Sequence, residues 1–204
     1  MQSREYNISE VITFKKTNEP FGGLSNMAGG YSLNVNGIII PSSEHLYQAC
    51  RYPLFPKIQE EIIAQHSPMT AKMISKKYHD YTRQDWNAVR IKVMRWALQV
   101  KLSQNWEKFG SLLLQTGDKA IVELSHKDKI WAAVQEGDKL VGVNALGRLL
   151  MDTRDKFARK DTCQKCVEPP PIAGFLLFNN DIELVCNESF EEELLYSSDK
   201  IEIV

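Results

Sequence analysis

The sequence has no surplus of charge of either sign: 25 lysines and arginines stand against 26 aspartates and glutamates, a formal charge of -1 over 204 residues. That balance excludes a globally basic surface for non-specific nucleic-acid binding and leaves room only for a local patch. There is no apolar run long enough to span a bilayer, and the stretch from Met1 to Tyr6 carries no signal-peptide core, so a cytoplasmic location and no membrane partner are expected. Cysteine is scarce, with four residues too scattered for a secreted disulfide framework. Cys163 and Cys166 have the spacing of a zinc pair. No second Cys/His pair follows at finger spacing, however, Cys186 stands alone, and no histidine lies beyond His126. No metal is therefore expected. Internal repeats and low-complexity tracts are also missing. What remains, 43% hydrophobic and 25% charged residues, is ordinary for a globular protein long enough to bury one substantial core.

Turn chemistry and periodicity divide the chain. Val11 to Phe14 reads as a strand. Tyr31, Leu33 and Val35 alternate in a second, and Asn36-Gly37 signals a type I′ turn into a third at Ile38 to Ile40. From Pro41 the pattern becomes helical. Ser42 and Ser43 cap a helix beginning at Glu44, residues 59–65 form another, and Ser67-Pro68 opens a third through Tyr78. The longest helix runs from about Asp85 to Asn105, a further one passes through residues 109–114, Ala120 to Leu124 is a strand, and the last helix covers Asn144 to Phe157. The expected fold over residues 1–157 is α+β, mainly helical, with a small antiparallel sheet. Residues 158–171 are polar, end in three prolines and read as a linker. Residues 172–204 form a β-rich C-terminal extension, with a hairpin expected between Phe175 to Phe178 and Ile182 to Val185 around a three-residue loop.

Five polar features carry candidate chemistry. Glu44, Gln48 and Arg51 fall at i, i+4 and i+7, so an acid, an amide and a cation share one helix face. Either Glu44 is a capping acid on a solvated face, or the three line a cleft in which Glu44 performs acid–base work. On the long helix Lys92, Arg95 and Gln99 cluster toward water, whereas Lys101 lies opposite in the sector of Met94 and Ala97. A lysine placed there is either paired to a carboxylate or desolvated into a nucleophile able to form a Schiff base. Lys72 and Lys76, one turn apart, with Arg83 beyond, suit phosphate oxygens or simply a solvated face. Asp128 precedes Trp131 in a loop, where the indole is either an edge of the core or a platform for a base. Asn144 is placed to cap the last helix, whose first amides are a phosphate site if they are free.

In this order these residues resemble the NADAR superfamily, which includes bacterial riboflavin-intermediate N-glycosidases. The matching positions are Leu24-Ser25-Asn26, Pro41 to Gln48 (PSSEHLYQ), Ser67 to Met69, Arg83, Trp86, Met94, Lys101, Thr116-Gly117, Asp128, Trp131, Asn144 to Met151 (NALGRLLM) and Arg154. Arg51 and Ala132 depart from the lysine and glycine that many relatives carry. The resemblance implies cleavage of the N-glycosidic bond between a phosphorylated ribose and an amino-heterocycle, without a cofactor. It implies a catalytic set of Glu44, Asp128 and Lys101. Ser25, Asn26, Gln48, Arg51, Lys72, Lys76, Arg83, Trp131 and Asn144 would form the substrate-binding set. The implied partner is a small ribosylated molecule or an ADP-ribosylated nucleic acid. A rival reading is a module that holds ADP-ribose or NAD without cleaving it. Two carboxylates beside a diphosphate favour catalysis over that reading.

Overall fold

The computed structural model describes residues 2–156 and 165–187. Its helical part follows the capping signals. α1 (Ser43–Ala49) begins where the Ser42 hydroxyl accepts the His45 amide, and α3 (Pro68–Lys77) begins with a reciprocal Ser67/Thr70 capping box. Between them α2 (Pro56–Ile63) starts three residues before the expected helix, with proline in its first turn. α4 (Trp86–Gln104) is the central rod, and Val93, Trp96, Ala97 and Val100 on it are buried completely or nearly so. A π-helical turn, Trp106–Gly110, leads into α5 (Ser111–Leu114), and α6 (Ala145–Lys156) closes the domain against α4 and the strand Ala120–Glu123.

The strands form small separate units. β1 is Arg4–Asn7, β2 Val11–Phe14, β3 Leu33–Val35, β4 Ile38–Ile40, β5 Ala120–Glu123, β6 Val134–Glu136 and β7 Lys139–Gly142. β3 and β4 pair about Asn36 and Gly37, both at positive φ (52° and 78°), as the turn signal requires. β1, β7 and β6 make an antiparallel sheet, whereas β2 pairs with β5 in parallel. The α+β, mainly helical fold with small antiparallel sheets is as expected, and the parallel pair is an addition to it. The sequence did not reveal β1, β6 or β7: β1 and β6 are mostly polar and exposed, and β7, with Leu140 and Gly142 buried, is too short to show an apolar alternation.

The C-terminal segment packs onto the domain. β8 (Cys166–Val167) pairs with β11 (Val185–Cys186), and a disulfide joins Cys166 to Cys186. Cys186 is thus not alone, and the expected linker contains a strand with Val167 buried. Cys163 and residues 158–164 lie outside the described residues. β9 (Leu176–Leu177) and β10 (Asn180–Asp181) form a hairpin around Phe178 and Asn179, both at positive φ. The hairpin is therefore tighter and earlier than expected, and Ile182 is already past it, buried in the core. Phe175 meets Trp96 edge-on at 5.2 Å, while the Gln59 side chain donates to the Leu176 carbonyl and accepts from the Phe178 amide. Among the described residues no helix is long and apolar enough to cross a membrane, and no group of three or more His, Cys, Asp or Glu side chains could hold a metal.

Candidate active site

A cleft of about 890 Å³ opens between α1, α3, the start of α4 and the loop after β5. Its floor is Glu44. At 2% exposure this residue is no solvated cap. Asn26 donates an amide hydrogen to Oε2, and Gln48 Nε2 donates to Oε1 at 2.7 Å. Gln48 can be oriented only one way. Its Oε1 accepts from Ser75 Oγ at 2.6 Å and from Arg51 Nη1 at 3.2 Å, and a guanidinium only donates, so the amide nitrogen must face Glu44. Asn26 is fixed through its carbonyl, which accepts the Glu44 amide and the Ser43 hydroxyl. Burial raises the Glu44 carboxyl above its ordinary range, against the opposing pull of Gln48, Lys72, Asn26 and Arg51.

The wall formed by the end of β5 holds a residue that the sequence did not point to. Glu123, the last residue of β5, lines the cleft and makes no side-chain hydrogen bond among the described residues. Burial pushes its carboxyl up to about 7, with the negative charges of Asp128 and Glu44 adding to the rise and Lys72 opposing it. A glutamate at a strand end is common, and no spacing pattern singles it out.

Asn144 serves this wall. Its Oδ1 accepts the Glu123 amide at 3.2 Å and its Nδ2 donates to the Ile121 carbonyl at 2.8 Å, so it clamps β5 and does not line the cleft. The expected phosphate site at the α6 terminus does not exist, because the amides of Asn144, Ala145 and Leu146 donate to the carbonyls of Ala132, Ile130 and Trp131. Gly147 makes this contact possible, since a Cβ there would collide with the Ile121 carbonyl.

Asp128 and Trp131 do reach the cleft. Asp128 Oδ1 accepts the amides of Ile130 and Trp131 at 2.8 and 2.9 Å, which sets the turn that presents the indole. Trp131 stands edge-on to Tyr47, with ring centroids 5.7 Å apart, and the Arg90 guanidinium lies 5.9 Å from it. Arg51 lies over Trp86 at 5.4 Å and is tied to Gln48, Ser75 and Thr82. Arg51, Lys72, Arg90 and Lys127 give the lining its positive charge.

Besides Asn144, four expected site residues are placed elsewhere or are already engaged. Lys101 is fully buried behind the site, donating to the carbonyls of Gly23 and Ser25 at 2.7 and 3.1 Å and lying over Tyr31 and Phe109. Burial holds its pKa well below the usual lysine value, but it does not line the cleft, and its geometry is that of a strut. Ser25 is also buried and accepts the Met27 amide, shaping the loop that delivers Asn26. Lys76 is exposed and outside the cleft. Arg83 lines it, but its guanidinium grips Asp85 and the carbonyls of Ala173 and Gly174. A phosphate would have to compete with all of these.

This fold has counterparts. Residues 13–158 match the NADAR domain family, and the chain belongs to that family. It is 36% identical over 148 residues to the N-glycosidase YbiA of Escherichia coli (strain K12), an alignment covering 72% of this chain and 89% of YbiA. It is also 35% identical over 150 residues to the riboflavin biosynthesis protein VVA0006 of Vibrio vulnificus (strain YJ016), covering 74% of this chain but only 39% of that longer protein. The solution NMR structure of E. coli YbiA superimposes with a TM-score of 0.63 at 35% identity, over 74% of this chain and 86% of YbiA.

Proposed function

We propose that this protein is an N-glycosidase that hydrolyses the C–N bond between a phosphorylated ribose and an amino-heterocycle. One observation carries the reading: Glu44 lies buried and doubly oriented at the floor of a cleft that also presents an indole and several cations. Breaking a ribosyl C–N bond builds positive charge at the anomeric carbon, and a fixed carboxylate in a dry site stabilises that charge without reorganising. Both Glu44 oxygens already accept amide hydrogens, an arrangement that suits the ionised form. A water attacking the anomeric carbon passes its proton to this carboxylate. Trp131 offers its face to the heterocycle, and Arg51, Lys72 and Arg90 are the cations available to phosphate.

The names of the relatives direct the first substrate choice to riboflavin-pathway intermediates carrying ribose 5-phosphate. The cleft volume lies toward the upper end of ligand pockets, roughly 300–1,000 Å³, which leaves room for an ADP-ribosyl group on guanine in DNA as the larger alternative. A purely binding module gains nothing from the carboxylates Glu44 and Asp128 beside a diphosphate, since both repel it. The test is to incubate purified protein with a ribosylaminopyrimidine phosphate and with ADP-ribosylated DNA, detecting products by mass. Turnover of at least one is expected, with Glu44→Gln slower by roughly 100-fold or more. Undiminished turnover by that variant would remove Glu44 from the mechanism.

A further inference from the structure

Resting on the glycosidase reading, we infer that Glu123 is the catalytic acid that delivers a proton to the departing nitrogen. An amine cannot leave the anomeric carbon as its anion at useful rates, so the exocyclic nitrogen must be protonated as the bond breaks. Other groups in the cleft are poorly placed to do this. Both Glu44 oxygens are held by amide hydrogens, and Asp128 spends Oδ1 on two backbone amides that hold its turn. Burial pushes the Tyr47 hydroxyl above its ordinary range, and His79 lies at the rim with its side chain 77% exposed.

Glu123 alone among the three carboxyls has no hydrogen-bond partner among the described residues, so its proton has no competing destination inside the protein. Its backbone is fixed on both sides, by Asn144 on the amide and by the Ala133 amide on the carbonyl at 2.8 Å. A carboxyl titrating at about 7 stays largely protonated where an ordinary glutamate has lost its proton. The step balances. Glu123 gives its proton to the nitrogen, the C–N bond breaks with its electron pair retained by the amine, water oxygen bonds to the anomeric carbon, and the water's proton goes to Glu44. Solvent exchange then restores both carboxyls.

The experiment compares wild type, Glu123→Gln, Glu123→Asp and Glu44→Gln on two ribosylamine phosphates, one with a basic leaving amine and one whose amine is made electron-poor. Wild type is expected to lose kcat/KM as pH rises past about 7. Glu123→Gln should lose roughly 100-fold on the basic amine, the scale of a removed acid, together with that alkaline limb. On the electron-poor amine, which departs with less help, its loss should be at least ~10-fold smaller, whereas Glu44→Gln loses equally on both. Glu123→Asp should recover part of the rate, and an unchanged cooperative melt shows that the variants fold. Wild-type rate in Glu123→Gln, or equal losses on both amines, overturns the assignment while leaving the glycosidase reading intact. A wild type inactive on every ribosyl compound overturns both.

Discussion

Glu123 ends a strand with its side chain half-buried in the cleft wall and short of donors, and burial holds its proton up to about 7 against an ordinary 4.5. The folded state therefore binds a proton that the unfolded chain releases between those values, and stability contributed below pH 4.5 is lost as pH rises through about 7. Glu123→Gln removes that loss. Urea unfolding should find the variant more stable than wild type by roughly 1–3 kcal/mol at pH 8 and nearly equal at pH 4. Equal stability at both values would mean that the carboxyl is solvated. Residue by residue, the site was half legible. Glu44 announced itself because serine caps fix where its helix starts, and that start fixes which residues share its face. Glu123 and Arg90 gave no such sign, since what brings them to the cleft is the packing of segments distant in the chain.

At the scale of elements, helices were legible and most strands were not. Capping residues and a period of about 3.6 are local signals. The parallel pairing of β2 with β5, by contrast, joins residues more than 100 positions apart, and nothing in either segment encodes it. α4 shows the difference within one helix. Its periodicity correctly set Lys101 on the buried side, but periodicity cannot say whether an inward lysine meets substrate or backbone. Here it meets the carbonyls that shape the loop before Asn26. Lys101→Met should cost roughly 1–3 kcal/mol of stability, since it orphans a buried acceptor. Borohydride added during turnover should leave Lys101 unmodified by peptide mass, and a sugar adduct there would restore it as the nucleophile.

For the molecule as a whole, the segment after the matched domain was the least legible part, because its order comes from surfaces it docks on and not from its own pattern. Val167 and Phe175 bury against the core, and the carbonyls of Ala173 and Gly174 hold Arg83 beside the cleft. The Cys166–Cys186 bridge closes a 20-residue separation around that loop. Cys186→Ser should cost about 3 kcal/mol by the chain-entropy estimate, measured by urea unfolding, and wild type under reductant should match it. A midpoint unmoved by reductant would show that docking alone secures the segment. The floor of the cleft has a consequence of its own. From Ser42 through Cys50 every residue is buried, including Ser42, Ser43, Glu44, His45 and Gln48. Such a helix has no outward side to fray from, so local opening cannot loosen it while the rest of the globule persists. Glu44 keeps its place until the whole structure comes apart, and catalytic competence should vanish in a single step with foldedness itself.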